Sequence, residues 1–438
     1  MKTFSEFVIS SFEWDEELLL ARFHFHFDEQ EYFMEEIAFR PLKNEAEFPL
    51  RPYGKDQLFQ LLSHLHIALG VSYYKLFPTK TIRVESLALN AAQKAFWNEF
   101  YLKGLGEFFY QNQLDPRGLA QFESSPEAPH FEEKIKMKAD KSLVLFGGGK
   151  DSLVTVELLK KEGQDFDLFS FGKEYPLHQL AQAPTGKKRL ILERKLDLQQ
   201  LKKMLAEGYY NGHLPITGII SFVSLVIAYL YGYKAVITSL EKSADEGNTE
   251  YCEMEINHQW SKSSEFEQAF QRYVQDFISE DFRSYSPLRK WYEIRIVQEF
   301  CKYPQYFEAF SSCNRNFHQT GSKLTGEQLW CGICPKCAFL YTMLRAFLGK
   351  EKTNQIFARD LFADEGLVRL FEELLGISGI KPFECVGTNE EMLLAFWLIF
   401  EREGKADSVM MQLFKERILP VMERSAFEAL AEKLLAPV

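Results

Sequence analysis

Apolar positions change period twice along the chain, which divides it into three parts. Up to about residue 135, short alternating runs dominate. In the clearest, Arg22-Phe-His-Phe-His-Phe27, residues Phe23, Phe25 and Phe27 share one strand face and His24 and His26 the other. A polar solvent face is the expected role of those two histidines, with metal ligation as the alternative. Helical spacing follows over 56–69 and 90–110. A linker over 115–130 carries Pro116, Pro126 and Pro129 among Gly and Ser.

From about Lys136 the pattern alternates strand and helix, with strands expected over 142–146, 166–171, 189–193 and 235–239. Such alternation predicts an α/β fold with a doubly wound parallel sheet, its site at the strand C-termini. Beyond about Gly349 amphipathic helices dominate, broken by a glycine-rich loop and Lys381-Pro-Phe-Glu-Cys-Val-Gly-Thr388. The expected units are an α+β N-terminal domain (1–135), an α/β domain (136–348) and a mainly helical C-terminal region (349–438). The uncharged stretch over 214–233 is long enough for a membrane span. It holds Pro215, Gly218 and Gly232 and runs into the strand-like Lys234-Ala-Val-Ile-Thr-Ser-Leu240, so a buried helix followed by a sheet strand is expected.

At the first α/β junction Leu143-Val-Leu-Phe146 leads into Gly147-Gly-Gly-Lys-Asp-Ser152 and on into a helix. Glycines let consecutive amide N–H groups converge on an anion, and the helix N-terminus adds unpaired donors and partial positive charge. A Walker loop requires Ser or Thr after the lysine, where Asp151 stands. The dinucleotide fingerprint requires a third glycine two positions further on, where Asp151 and Ser152 stand. Neither motif fits, so a phosphate cradle of another kind is expected, with a plain glycine-rich strand-to-helix turn as the alternative.

Composition narrows the partners. A net charge of −11 argues against an obligate nucleic-acid partner. The first residues lack the basic-then-apolar pattern of a signal peptide, so a cytoplasmic protein is expected. Four of the seven cysteines are Cys313, Cys331, Cys334 and Cys337, the last three as Cys-Gly-Ile-Cys-Pro-Lys-Cys. Thiolates at that spacing suit a closed tetrahedral site, and structural Zn2+ is expected there, with a redox pair or plain packing as alternatives. Cys301 reads as a core residue.

The string GGGKDS resembles the SGGxDS signature of the PP-loop ATP pyrophosphatases, with Gly147 in the place of serine. A PP-loop core followed by a cysteine cluster is similar to 7-cyano-7-deazaguanine synthase over the middle domain. More of the chain resembles the ATP-dependent UDP-N-acetylmuramoyl-L-alanyl-L-glutamate epimerase family. The strings that carry this resemblance are LGVSYYK (from Leu69), FGGGKDS, NGHLPITG (from Asn211), SADEGN (from Ser243), NHQWSKSSEFE (from Asn257), WCGICPKCAF (from Trp330) and KPFECVGT. The resemblance implies a PP-loop core that uses ATP and Mg2+ to adenylate the substrate's terminal L-glutamate, inverts it to D-glutamate and releases AMP and pyrophosphate.

On that basis Gly147, Gly148, Gly149, Lys150 and Ser152 are expected around the ATP phosphates, and Ser170, Phe171 and Gly172 near the nucleoside. Asp151 is expected to hold magnesium or the loop, or to cap the helix. Glu241, Asp245 and Glu246 are candidate magnesium ligands or solvated loop acids. His258 and Lys262, four residues apart and on one face if helical, are candidates for proton transfer or phosphate binding. Cys385, Tyr73, Tyr74 and Lys75 are further candidates for proton transfer, and Lys75, Arg51 or Lys262 for the UDP diphosphate. Partners are confined to a small-molecule substrate, with neither nucleic acid nor membrane. A different PP-loop adenylating enzyme and a non-catalytic nucleotide- and zinc-binding module remain the alternatives.

Overall fold

The computed structural model describes residues 2–137, 141–313, 315, 329–404 and 408–436. Strands β1 (Glu6–Asp15), β2 (Leu20–Phe27) and β3 (Glu31–Ala38) form an antiparallel meander, with Phe7 opposite Phe27 and Ile9 opposite Phe25. Strands β4 (Thr81–Val84) and β5 (Gln121–Ser124) continue it in parallel beyond β1. Phe23, Phe25 and Phe27 are fully buried on one face. Each such side chain contributes about 1.5–3 kcal/mol relative to exposure. The opposite face departs from expectation: His24 is half-buried near Glu13, whereas His26 is buried and accepts a hydrogen bond from the Glu29 backbone N–H. Burial lowers the His26 pKa, which favours the neutral ring.

The second sheet is wholly parallel. Its strands are β6 (Lys141–Leu145), β7 (Phe166–Phe171) and β8 (Arg189–Leu192), then, after a short β9 (Arg194–Lys195), β10 (Tyr233–Ile237). A small hairpin of β11 (Thr249–Tyr251) and β12 (Met254–Ile256) precedes its last strand, β13 (Arg283–Tyr285). The spatial order is β13-β10-β6-β7-β8. The chain steps outward from β6 to β8, then returns to the other side of β6. That reversal opens a crevice between β6 and β10, where α/β sheets bind ligands.

Helices cover both faces. Lys150–Lys161 and Glu293–Phe300 pack together on one side, and Ile216–Tyr231 packs against Lys55–Tyr74 on the other. The uncharged stretch is thus the buried helix that its small residues suggest, ending at Gly232 with φ +76°. Among the described residues no helix is long and apolar enough to cross a membrane. The sheet also separates two cores. Leu143 joins a cluster with the N-terminal sheet, and its neighbour Val144 joins one with the C-terminal helices. β9 pairs antiparallel with β3, so a segment following the parallel strand β8 becomes the sixth strand of the N-terminal sheet.

Candidate active site

The turn after β6 is where the parallel sheet reverses. Gly148 has φ +72°, a conformation that L side chains rarely adopt, and Gly149 caps the helix Lys150–Lys161. A side chain at Gly147 would meet open space, so the missing serine of the PP-loop signature leaves a gap and no distortion. Ser152 Oγ donates to the Gly149 carbonyl at 2.9 Å. Ser170 Oγ, at the end of β7, donates to the Phe146 carbonyl at 2.7 Å, so the neighbouring strand braces the loop. Phe171 and Gly172 follow it at the same strand end, half-buried.

Beside the loop lies a cavity of about 90 Å3, lined among others by Lys150, Asp151, Ser239, Glu241, Lys262 and Cys385. A larger hollow of about 450 Å3 sits at the opposite strand ends, lined by Ser142, Asp165 and Arg283, away from the glycine loop. Lys150 is buried between two carboxylates, its Nζ 2.7 Å from Asp151 Oδ1 and 2.6 Å from Glu293 Oε1. Burial opposes its charge, but these partners raise its pKa above the usual lysine value. Burial raises the pKa of Glu241, and the nearby Asp151 charge adds to it. Asp151 stands in the first turn of the helix, where its charge suits the helix N-terminus. Ser239 Oγ is shut away from solvent without a hydrogen-bond partner in the described structure. A cavity with an unanswered hydroxyl and mutually repelling carboxylates suits a divalent cation and phosphate oxygens.

On the far wall three predicted residues meet. Lys262 Nζ lies 3.1 Å from Cys385 Sγ, and His258 Nε2 lies 3.7 Å from it. They converge by a route other than the one expected, because residues Trp260–Lys262 form a 3-10 turn and His258 precedes it. Burial disfavours the Cys385 thiolate, yet Lys262, Lys336 and His258 hold the thiol's pKa well below its ordinary value. For His258, burial opposes protonation, but Cys385 and Glu107 raise its pKa to about 9. Glu107, on the short helix Gly106–Asn112, accepts from or shares a proton with His258 Nδ1 at 2.5 Å, and His213 Nδ1 is 3.4 Å from the same oxygen. Burial lowers the His213 pKa to about 3, so that ring is neutral at pH 7.

The other candidates stand outside the cavity lining, although the Lys75 charge acts on His213. Tyr73 and Tyr74 are buried in the aromatic core, where Tyr74 donates to the Thr79 carbonyl at 2.7 Å. Arg51 packs over Gly232 at the end of its helix. The exposed Asp245 accepts from the Ser264 backbone N–H and hydroxyl, and Glu246 pairs with Lys381 at 3.1 Å. Lys75 Nζ donates to Asn211 Oδ1 and the Gly212 carbonyl, and burial lowers its pKa to about 8. Glu107, His213, Glu293 and Lys336 were not singled out by the sequence. His213 lies inside NGHLPITG and Lys336 between two predicted cysteine ligands, whereas an isolated Glu on a helix carries no such signal.

Sγ atoms of Cys313, Cys331, Cys334 and Cys337 all lie within 4.8 Å of one another, with Cys331 and Cys337 3.7 Å apart. Cys334 caps the helix Pro335–Leu348 and Cys337 sits in its first turn. Gly332, at φ +69°, makes the tight turn between the ligand candidates; a Cβ there would lie 2.8 Å from Arg359. Four converging thiols form a donor set suited to one tetrahedral ion. Burial raises Cys301, by contrast, to about 12; it is half-buried and packs against the C-terminal core without belonging to it. Ser312, Lys336 and Phe339, adjoining the cluster, form part of the active-site cavity wall.

The strings scattered through the sequence are therefore joined around one site. Lys75 of the first meets Asn211 of NGHLPITG, and Asn248 of SADEGN donates to the Lys381 and Pro382 carbonyls of KPFECVGT. The model of the MurL N-terminal domain matches residues 1–287, and that of the MurL C-terminal domain matches residues 309–428. A UDP-N-acetyl-alpha-D-muramoyl-L-alanyl-L-glutamate epimerase of Xanthomonas oryzae pv. oryzae is 34% identical over 422 residues, covering 95% of this chain and 92% of that protein. Proteins of the same name from a Micromonospora species and Salinispora tropica are 35% and 34% identical over 355 residues. Each alignment covers 80% of this chain, with 77% of the Micromonospora protein and 75% of the Salinispora one. With both halves matched and a relative aligned along nearly its whole length, the chain belongs to the MurL family.

Proposed function

We propose that this protein inverts the terminal L-glutamate of UDP-N-acetylmuramoyl-L-alanyl-L-glutamate, supplying a D-glutamate-containing precursor for peptidoglycan. The reaction consumes ATP, forms an acyl adenylate and releases AMP and pyrophosphate. One observation carries this reading: a single cavity is lined by the glycine loop's Lys150 and Asp151 together with Lys262 and Cys385. That arrangement suits carboxylate activation next to proton transfer.

Removing an α-proton beside a carboxylate puts a second negative charge next to the first. Adenylation cancels the first charge and gives the carbonyl oxygen room to accept electrons as an enolate. Amide groups of Gly148 and Gly149 and the helix N-terminus suit the ATP phosphates. Asp151 and Glu241 would hold Mg2+, which when bound neutralises phosphate charge. The four cysteines would hold a structural Zn2+, keeping the adjoining wall with Lys336 and Phe339 in place. His258 and Lys262 handle protons at the substrate beside the Cys385 thiol, with Glu107 holding the imidazole.

The test incubates pure protein with ATP, Mg2+ and the UDP-dipeptide, then follows AMP and the chirality of glutamate recovered by hydrolysis. D-glutamate formed only with ATP, alongside AMP, is the expected result. Glutamate that stays wholly L, with no AMP released, overturns the proposal.

A further inference from the structure

Cys385 stands beside an imidazole that is itself held by a third group. Glu107 Oε2 is 2.5 Å from His258 Nδ1, and His258 Nε2 is 3.7 Å from Cys385 Sγ, so carboxylate, imidazole and thiol stand in line. This is the constellation of an activated nucleophile: a base within reach of the sulfur, itself held by a third group. Lys262 Nζ, 3.1 Å away, adds a cation beside the sulfur. Glu107 also lies 3.4 Å from His213 Nδ1, but on His258 it is bonded at the nitrogen opposite the one that faces the thiol.

Place matters as much as order. Cys385 lines the same cavity as Lys150 and Asp151, where the proposed adenylate would form. A thiolate next to a mixed anhydride is a stronger nucleophile than water or a protonated lysine. The loop that carries Cys385 is also fixed on its C-terminal side. Gln259 Nε2 donates to the Val386 carbonyl at 3.3 Å, and Thr388 caps the following helix in a reciprocal box with Glu391. Glu391 in turn accepts from the Ile294 backbone N–H at 2.8 Å, beside the Glu293 that holds Lys150.

We infer that Cys385 is the acyl acceptor of this site, so that the glutamyl α-carbon is inverted as a thioester on Cys385 after AMP has left. The inference rests on the adenylation proposed above. The sulfur lone pair forms an S–C bond at the glutamyl carbonyl. The C–O bond to the AMP phosphate breaks, and its electron pair leaves on the phosphate oxygen. An enzyme base takes the α-proton, and a proton returns on the opposite face. Water then adds to the carbonyl, the C–S bond breaks and the thiolate reforms. The free carboxylate leaves, and both protons of the water pass by way of the enzyme base to solvent.

Charge favours the exchange. In an adenylate the enolate would develop beside an anionic phosphate, whereas a thioester removes that charge and sulfur delocalises weakly into the carbonyl. With Cys385 committed to the acyl group, Lys262 and His258 are the cationic groups flanking it, suited to the enolate oxygen and to proton return.

The experiment acid-quenches the full-length protein during turnover with ATP, Mg2+ and the UDP-dipeptide, then maps its peptides by mass spectrometry. The expected result is a Cys385 peptide heavier by the acyl group and restored by neutral hydroxylamine. Cys385→Ala should keep ATP–pyrophosphate exchange while AMP release falls by more than about 10³-fold. Cys385→Ser should accumulate a more stable ester on Ser. Thermal unfolding of both variants checks that each is folded. AMP and D-glutamate formed at steady state with no adduct would overturn the inference and leave the epimerase reading intact. So would Cys385→Ala that still releases AMP but returns only L-glutamate, the signature of a proton-transfer role. Absence of both pyrophosphate exchange and inversion in the unaltered protein would remove the adenylation reading itself, and this inference with it.

Discussion

Glu107 and Cys385 both favour the protonated His258, and the sign of removing the Glu107 charge can be worked out. Burial alone favours the neutral ring; Cys385 and the Glu107 carboxylate together raise its pKa to about 9. If the imidazolium form is active, kcat/KM holds below that value and falls as pH rises through it. Glu107→Gln keeps the shape and removes the charge, so the alkaline limb should move to lower pH while folding is retained. An unmoved limb in a pH–rate profile would take Glu107 out of this role. Ser152→Ala removes a bond to the Gly149 carbonyl, costing about 1 kcal/mol in urea unfolding and lowering pyrophosphate release. His258 and Lys262 stood out in the sequence as reactive residue types in a polar run, and Cys385 as a possible acid within KPFECVGT, a string that carries the family resemblance. Glu107 did not, since its importance comes from a contact 151 positions away in the chain.

The cysteine turn and the glycine turn do similar work: each fixes the start of a helix that borders the cavity. Zn2+ held by four thiolates would couple Cys313 to the first turn of Pro335–Leu348. Freshly purified protein should therefore contain zinc, and stripping it should lower the thermal midpoint and hydrogen-exchange protection of that helix. Zinc-free protein with unchanged protection would refute a structural metal. Gly148→Ala tests the other turn. Its φ of +72° costs an L residue about 1–2 kcal/mol. The added Cβ would also stand 3.3 Å from Ala181 Cβ, so stability and ATP affinity should fall together. Strands were the most legible elements, since runs such as Phe166–Phe171 are apolar, short and bounded by turns. The turn at Trp260–Lys262 was not. Spacing four residues apart suggested a helical face, whereas Lys262 and His258 reach Cys385 from a 3-10 turn and the residues before it.

A local pattern identifies a strand but not the sheet it joins. Arg194-Lys195 follows a parallel strand, yet pairs with β3 in the N-terminal sheet, a choice made by a buried ion pair that no periodicity announces. Arg194 Nε lies 2.6 Å from Glu35 Oε1, and its Nη2 reaches Glu35 Oε2 at 3.1 Å and Ser72 Oγ at 2.7 Å. Glu35 is fully buried, so Arg194→Ala would leave an unpaired carboxylate in the core and should cost about 3–5 kcal/mol. The same cluster of apolar residues joins Phe25 and Phe33 of the first sheet to Leu143 and Leu190 of the second. Loosening β9 should consequently weaken both sheets in one transition, seen by urea unfolding with fluorescence and circular dichroism. Replacing both partners, Arg194→Met with Glu35→Leu, removes the stranded charge as well as the pair. The double variant should then lie closer to the parent than Arg194→Ala does. Separate transitions for the two sheets would show that the pair orients them without making their folding interdependent. A common transition would mean that the glycine loop's sheet depends on an N-terminal sheet whose own residues lie outside the reaction.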